Sequence, residues 1–208
     1  MKLVVLGATG GIGLEIVQQA IEQSHEVTAF VRSAERLRQF GERITIRQGN
    51  VLDGSQLAQA IRGHDAVLSG FGPRVPIAKE DANLLRDFAA ALTIAMRQSG
   101  VRRSVIVSTA FLFTDSIVPP TNLLGRMLFG GVVRDATAME KIVAESDLDW
   151  TLVRPPQLTD LAYTGRYRIR MGHLPRFGFK ISRADVADYF LRIAGDRTTV
   201  RQVVGLSN

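Results

Sequence analysis

The stretch Lys2-Leu-Val-Val-Leu-Gly7-Ala-Thr-Gly10-Gly-Ile-Gly13 decides the fold. Its apolar run reads as a buried strand, and the glycines after it read as a tight turn into a helix. Without a Cβ, Gly7 reaches backbone angles that let the strand reverse, and Gly10 leaves room for the backbone to lie against a pyrophosphate. Gly13 lets the helix pack closely on the strand. Ile12, Ile16, Val17, Ala20 and Ile21 then recur at helical spacing. A helix opening near Gly11 or Ile12 turns its free N–H groups and positive dipole end toward the phosphates. A plain strand-to-helix turn is the simpler reading of a glycine triplet. The apolar strand before it and the amphipathic helix after it favour a dinucleotide site.

Working outward, His25 to Val31 is a second strand, followed at once by Arg32-Ser33. A carboxylate about 20 residues beyond the glycines would select the ribose 2′-hydroxyl of NAD, whereas a basic residue there accepts a 2′-phosphate. Arg32 stands in that register, Ser33 adds a hydroxyl and Arg36 can return from the next short helix, so NADP(H) is expected in preference to NAD(H). Ile44 to Arg47 is a third strand, ending in Gln48-Gly49-Asn50-Val51-Leu52-Asp53. Asp53 has the position of a helix cap. Asp65 to Gly72 is a fourth strand opening into a small-residue loop. A helix over Asp81 to Arg97 and a fifth strand over Arg103 to Ser108 follow. Leu112 to Gly131, rich in proline and glycine, reads as a lid beside a substrate pocket. A helix over Asp135 to Ser146, a strand over Trp150 to Val153, a strand over Tyr167 to Met171, a helix opening at Ile181 to Asp188 and a last strand over Arg201 to Val204 complete the chain.

At 208 residues this is one domain, 1–208, with a small substrate lobe drawn from 110–133 and 155–208. The expected fold class is α/β: a doubly wound parallel sheet with helices on both faces. With 46% hydrophobic and 22% charged residues the chain is unlike a disordered one. It has no apolar run of bilayer length and no signal-peptide pattern, so a cytoplasmic protein without a membrane partner is expected. The absence of cysteine excludes disulfides, thiolate metal sites and a cysteine nucleophile; no metal is expected. The net charge of +6 is scattered and not gathered with aromatics, so no nucleic-acid partner is expected, while an anionic cofactor suits it. Arg166, Arg168 and Arg170 share one strand face, which reads first as a solvated face.

GATGGIG at 7–13, VRSAERL at 31–37, STAFLF at 108–113, MEKIVAESDLDWTLVRPP at 139–156 and ISRADVADYFL at 181–191 together resemble the atypical short-chain dehydrogenases/reductases. Within them the chain resembles the Rossmann-fold NmrA-like group, and most of all its NADPH-dependent flavin reductase (biliverdin reductase B) branch. The resemblance implies that Gly7, Thr9, Gly10, Gly11, Ile12 and Gly13 hold the pyrophosphate, Arg32 and Arg36 the 2′-phosphate, and Asn50 and Val51 the adenine. It also places Phe71 and Gly72 on the ribose and phosphate path, and Thr109 at the family's catalytic serine. Pro156, Gln157 and Leu158 fall beside the nicotinamide. Typical members carry Tyr-x-x-x-Lys, whose phenol protonates a carbonyl. Here Lys141 is present, as a catalytic candidate that could bind the nicotinamide ribose and equally as a solvated helix charge, but Thr137 stands in the tyrosine's place. Hydride transfer to an acceptor needing no protein acid fits that departure: a flavin, quinone or tetrapyrrole spreads the incoming charge over a conjugated ring. Phe111, Phe113 and Phe129 are candidates for an apolar wall against such a ring. A redox sensor that binds NADP(H) without turnover is the competing reading. A monomer or weak dimer is expected.

Overall fold

The computed structural model describes residues 1–73, 82–113 and 130–208. Its centre is β1 (Lys2–Leu6), which is apolar on both faces: Leu3 and Val5 point into one core, Val4 and Leu6 into another. A strand of that kind must be covered twice. On one side lie α1 (Gly11–Glu22) and α5 (Arg183–Ile193); on the other lie α2 (Gly54–Ile61), α3 (Leu84–Ser99) and α4 (Gly130–Ala144).

The remaining strands are β2 (Glu26–Val31), β3 (Thr45–Gln48), β4 (Ala66–Ser69), β5 (Arg103–Val107), β6 (Asp149–Arg154), β7 (Gln157–Thr159), β8 (Arg168–Met171), β9 (Lys180–Ser182) and β10 (Gln202–Ser207). Seven of them join β1 in one sheet in the order β3-β2-β1-β4-β5-β6-β10-β8, and β7 pairs with β9 apart from it. This is the expected Rossmann-like, doubly wound α/β architecture. β8 alone runs antiparallel to its neighbour in the large sheet. The chain leaves β1 toward β2 on one side and returns to β4 on the other, so strand order reverses at β1. Ligands of such sheets bind beyond the strand ends at that reversal.

The register lines up what stands there. Leu6 pairs with Phe30 and with Ser69, Ser69 with Ile106, and Val107 with Val153. The residues just past each end are therefore neighbours: Gly7, Arg32, Gly70-Phe71, Ser108-Thr109 and Arg154-Pro155.

The start of α4 differs from expectation: Gly130 and Gly131, given above to the lid segment, are its first turn. Leu112 closes a short helical turn with Ala110, followed by Phe113, while 114–129 of the expected lid, with Phe129, lie outside the described residues, as do 74–81. Arg168, one of the three arginines along β8, donates to Arg176 O, Ser207 Oγ and Asn208 O, so it serves the fold.

The C-terminal lobe hangs on Asp185, a fully buried carboxylate that accepts from Thr164 N, Gly165 N, Thr164 Oγ1 and Asn208 Nδ2. Burial pushes this carboxyl up, but the hydrogen bonds from Asn208, Thr164 and Gly165 outweigh burial and leave it below its ordinary value. Its stabilising contribution is therefore present above the ordinary carboxylate range and is lost as pH falls through that lowered value. No helix among the described residues is long and apolar enough to cross a membrane.

Candidate functional site

The glycine turn is made almost entirely of backbone. Gly7 sits at φ +70°, and a Cβ there would meet the backbone of Phe71 at 2.7 Å. A Cβ on Gly13 would lie 2.1 Å from Gly7 O, and one on Gly70 would lie 2.9 Å from Gly13 N. Gly7, Gly13 and Gly70 thus pack the end of β1, the start of α1 and the end of β4 against one another without side chains. Gly10 differs: a Cβ there would meet only Gly7 O at 3.2 Å and Gly70 O at 3.9 Å. That contact is tight but about 1 Å looser than the one at Gly13.

Gly10 caps α1 with no side chain, and the first helical bond runs from Leu14 N to Gly10 O at 2.9 Å. The N–H groups of Gly11, Ile12 and Gly13 have no helical partner, and a diphosphate fits what they need. Ile12 contributes through its backbone only, since its side chain is 5% exposed and packed in the core.

Around the turn, Arg36 Nη1 donates to Thr9 O at 2.6 Å, which brings this arginine over the phosphate loop as expected. Arg32 is exposed and lies two residues past Phe30, level with Ala8 across the pairing of β1 with β2. Asn50 Oδ1 accepts from Leu52 N, and Asp53 caps α2 by accepting from Ser55 N and Gln56 N. Val51 is 7% exposed and packs into the α2–α3 core, so toward an adenine it offers backbone and not side chain. Phe71 packs its ring on Phe88 with centroids 4.7 Å apart, so it too meets the cofactor path through its main chain, beside exposed Gly72.

At the ends of β5 and β6 the site is made of side chains. Glu140 of α4, 8% exposed, accepts from Arg154 Nε at 2.9 Å and Nη2 at 2.5 Å, and from Ser108 Oγ at 2.5 Å. The Arg154 guanidinium also lies 4.7 Å over the Phe113 ring. This network ties α4 to both strand ends and commits Glu140 to protein partners. None of Ser108, Glu140 or Arg154 was singled out from sequence, although Arg154 opens the Arg-Pro-Pro motif.

Thr109 is half-buried one residue further on. Its Oγ1 accepts from Phe111 N at 3.3 Å, and its hydroxyl proton has no partner among the described residues. Ala110 N donates to Pro155 O at 3.1 Å, and Gln157 N to Phe179 O at 3.2 Å, so the Pro155-Pro156-Gln157 loop stands beside Thr109. Leu158 is half-buried against the core.

Two expectations are corrected. Lys141 is not at the strand ends: its side chain is 73% exposed and its ammonium lies 3.9 Å from Glu145, one turn along the outer face of α4. Thr137 is on that exposed face and donates to Val133 O at 2.7 Å. The stripe of α4 that meets β5 and β6 passes through Glu140, and one and two turns earlier through Ala136 and Val132. Neither has an ionisable group. The apolar wall also changes. Phe113 is 2% exposed under Arg154, a core residue, and Phe111 is half-buried. Exposed instead are Phe177 at 82% and Phe179 at 68%. Phe179 directly precedes β9, and its carbonyl accepts from Gln157 N, which sets it beside the Pro155-Pro156-Gln157 loop.

A family model described as NAD(P)H-binding matches residues 7–197. Photosystem II assembly factor Ycf39 of Synechocystis sp. is 29% identical over 161 residues, which is 74% of this chain and 44% of that protein. The chain spans less than two thirds of the length of the curated relatives it matches. Among solved structures, a Burkholderia pseudomallei protein described as exported superposes with a TM-score of 0.83 at 27% identity, over 100% of both chains. ChuY, an anaerobilin reductase of Escherichia coli O157:H7, superposes with a TM-score of 0.82 at 23% identity, over 100% of this chain and 97% of its own. At that identity the likeness is one of fold.

Proposed function

We propose, because the chain belongs to the NAD(P)H-binding family, that it is a reductase passing hydride from NADPH to a planar conjugated acceptor such as a flavin, a quinone or a bilin. The observation that carries this reading is where the tyrosines are. The chain has three. Tyr163 and Tyr167 are both hydrogen-bonded to Asp188 in the C-terminal lobe, and Tyr189 is 3% exposed in the core. None stands at the ends of β5 and β6, and the helix stripe there offers Val132 and Ala136. A simple ketone needs a proton delivered as hydride arrives. A conjugated ring does not, because it holds the charge until water protonates it.

NADPH would supply the hydride. The protein's share is placement: the α1 amides hold the diphosphate, Arg32 and Arg36 the 2′-phosphate, and Thr109 orients the nicotinamide amide or an acceptor carbonyl. Phe179, beside the Gln157 loop, and exposed Phe177 are the aromatics assigned to the acceptor ring. Phe177 also sits at φ +56°, a conformation an aromatic residue adopts at a cost of about 1–3 kcal/mol. ChuY, whose acceptor is named as anaerobilin, has the same fold. A cytoplasmic setting accords with dependence on NADPH.

The test is single-turnover oxidation of protein-bound NADPH by FMN, a benzoquinone and biliverdin, each against free NADPH. At least one acceptor is expected to be reduced faster on the protein, with Phe179→Ser slowing it by raising the acceptor's half-saturation. If none is reduced faster than in free solution while NADPH binds tightly, the chain is an NADP(H) sensor and not a reductase.

A further inference from the structure

We infer that Arg183 is a diphosphate-binding residue of the cofactor site, and that Asp160, its ion-pair partner, competes with the pyrophosphate for it. The inference rests on the glycine turn being the diphosphate site. Arg183 is the first residue of α5, distant in sequence from every glycine of the turn, yet its side chain lies directly on Gly11. A Cβ built on Gly11 would meet Arg183 Cδ at 2.4 Å and Nε at 2.6 Å. The place of a Gly11 side chain is thus taken by an arginine stem, and the guanidinium is delivered to the end of α1, whose first amides have no helical partner.

Two hydrogen bonds fix that approach independently. Gln19 of α1 donates to Ala184 O at 2.9 Å, which clamps the first turn of α5 to the flank of α1. Ser182 ends β9 and caps α5 by accepting from Asp185 N at 3.0 Å, which sets the direction in which Arg183 leaves the helix. The stem is therefore positioned by structure, and only the head has a choice.

The partner of the head is a weak one. Arg183 Nη1 donates to Asp160 Oδ1 at 2.6 Å, but the Asp160 side chain is 89% exposed, against 29% for Arg183. An ion pair with one member that wet contributes little. A diphosphate lying on the α1 amides offers two charges and a planar guanidinium a bidentate fit, so exchange is favourable. Asp160 is then a competitor of the cofactor, and the pair couples the C-terminal lobe to occupancy of the turn.

The measurement is NADP⁺ affinity by calorimetry in the wild type, Arg183→Met and Asp160→Asn, with 2′-AMP, which lacks the diphosphate, as the second ligand. Methionine keeps the stem over Gly11 and removes the charge. Arg183→Met is expected to weaken NADP⁺ about tenfold or more, the value of one charge-assisted hydrogen bond, and to leave 2′-AMP unchanged. Asp160→Asn is expected to tighten NADP⁺ by about two- to fivefold. Opposite signs are the signature of competition. If both variants weaken NADP⁺ alike, the pair is a structural strap; if Arg183→Met binds both ligands as the wild type does, the arginine has no part in the site. Either result overturns the inference while the cofactor reading stands, whereas a wild type that binds no NADP⁺ removes both.

Discussion

The glycine turn and the Ser108–Glu140–Arg154 network stand at the same end of the sheet's strands and are built from opposite materials. The turn is backbone: Gly7, Gly13 and Gly70 touch through main-chain atoms, and their requirement is that nothing be added. The network is side chain: a carboxylate, a guanidinium and a hydroxyl from three separate elements, whose requirement is that nothing be removed. The first fails by overcrowding and the second by vacancy. That difference orders the mutations that would break each.

The largest effect is expected at Gly13. A methyl there would lie 2.1 Å from Gly7 O, and neither backbone can yield without parting α1 from β1. Gly13→Ala should cost about 3 kcal/mol or more, lowering the melting temperature by roughly 6–12 °C. Gly10→Ala, whose new methyl meets Gly7 O at 3.2 Å, should melt within a few degrees of wild type and lose NADP⁺ affinity. Equal drops in melting temperature at both positions would show that Gly10 too is only a packing residue.

Next comes Glu140→Ala, which leaves the Arg154 guanidinium, its side chain 15% exposed, without its carboxylate. Removing one partner of a buried pair costs about 3–5 kcal/mol. Part of that is retained by stacking on Phe113, worth about 1–2 kcal/mol in such a setting. Thermal unfolding of Glu140→Ala and of the double variant Glu140→Ala/Arg154→Met distinguishes the causes. The double variant should be the more stable of the two, because it removes the stranded charge. If it is no better, the network's value lies in packing and not in pairing.

These two regions were not equally legible in the sequence. Glycine reports backbone geometry by its identity alone, so the turn, β1 and the doubly wound sheet follow from residues 2–13 and the hydrophobic periods after them. Glu140 and Arg154 are ordinary residue types, and what makes them a site is that β5, β6 and α4 end together. No local pattern states that. The Thr137–Lys141 register shows how narrow the margin is: one residue along a helix is about 100° of rotation, enough to turn Lys141 out beside Glu145 while Glu140 faces in. Arg183 was missed for the same reason, since its meeting with Gly11 is purely tertiary, and Gly11 gave no hint that its space was filled from α5.

The cofactor preference sharpens the backbone side of the comparison, since amides bind any diphosphate and only side chains can discriminate at the ribose. Arg32, level with Ala8 and exposed, is the discriminator expected. Arg32→Asp should weaken NADPH roughly ten- to a hundredfold, because it removes a charge-assisted hydrogen bond and adds a repulsion, and should leave NADH within about threefold. Titration of both cofactors decides it. A wild type that binds NADH more tightly than NADPH would contradict the assignment before any mutation is made.

The smallest effect is the most informative about chemistry. Thr109 and Thr137 both carry a hydroxyl, but Thr109 stands past the end of β5 with a proton to donate, while Thr137 spends its proton on Val133 O on the outer face of α4. Thr109→Val should slow hydride transfer by about fivefold, the value of a positioning hydrogen bond near 1 kcal/mol. Thr137→Val should not change it. If no protein phenol takes part, the wild-type rate should also show no steep change between pH 6 and 9, whereas a catalytic tyrosine lowered from its ordinary value near 10 would titrate there. Stopped-flow oxidation of bound NADPH by the best acceptor, followed across that range in all three proteins, measures both. A rate that falls steeply with rising pH, or a Thr137→Val variant slower than Thr109→Val, would mean that a proton donor exists on the side-chain half of the cleft and that the acceptor class must be widened to simple carbonyls.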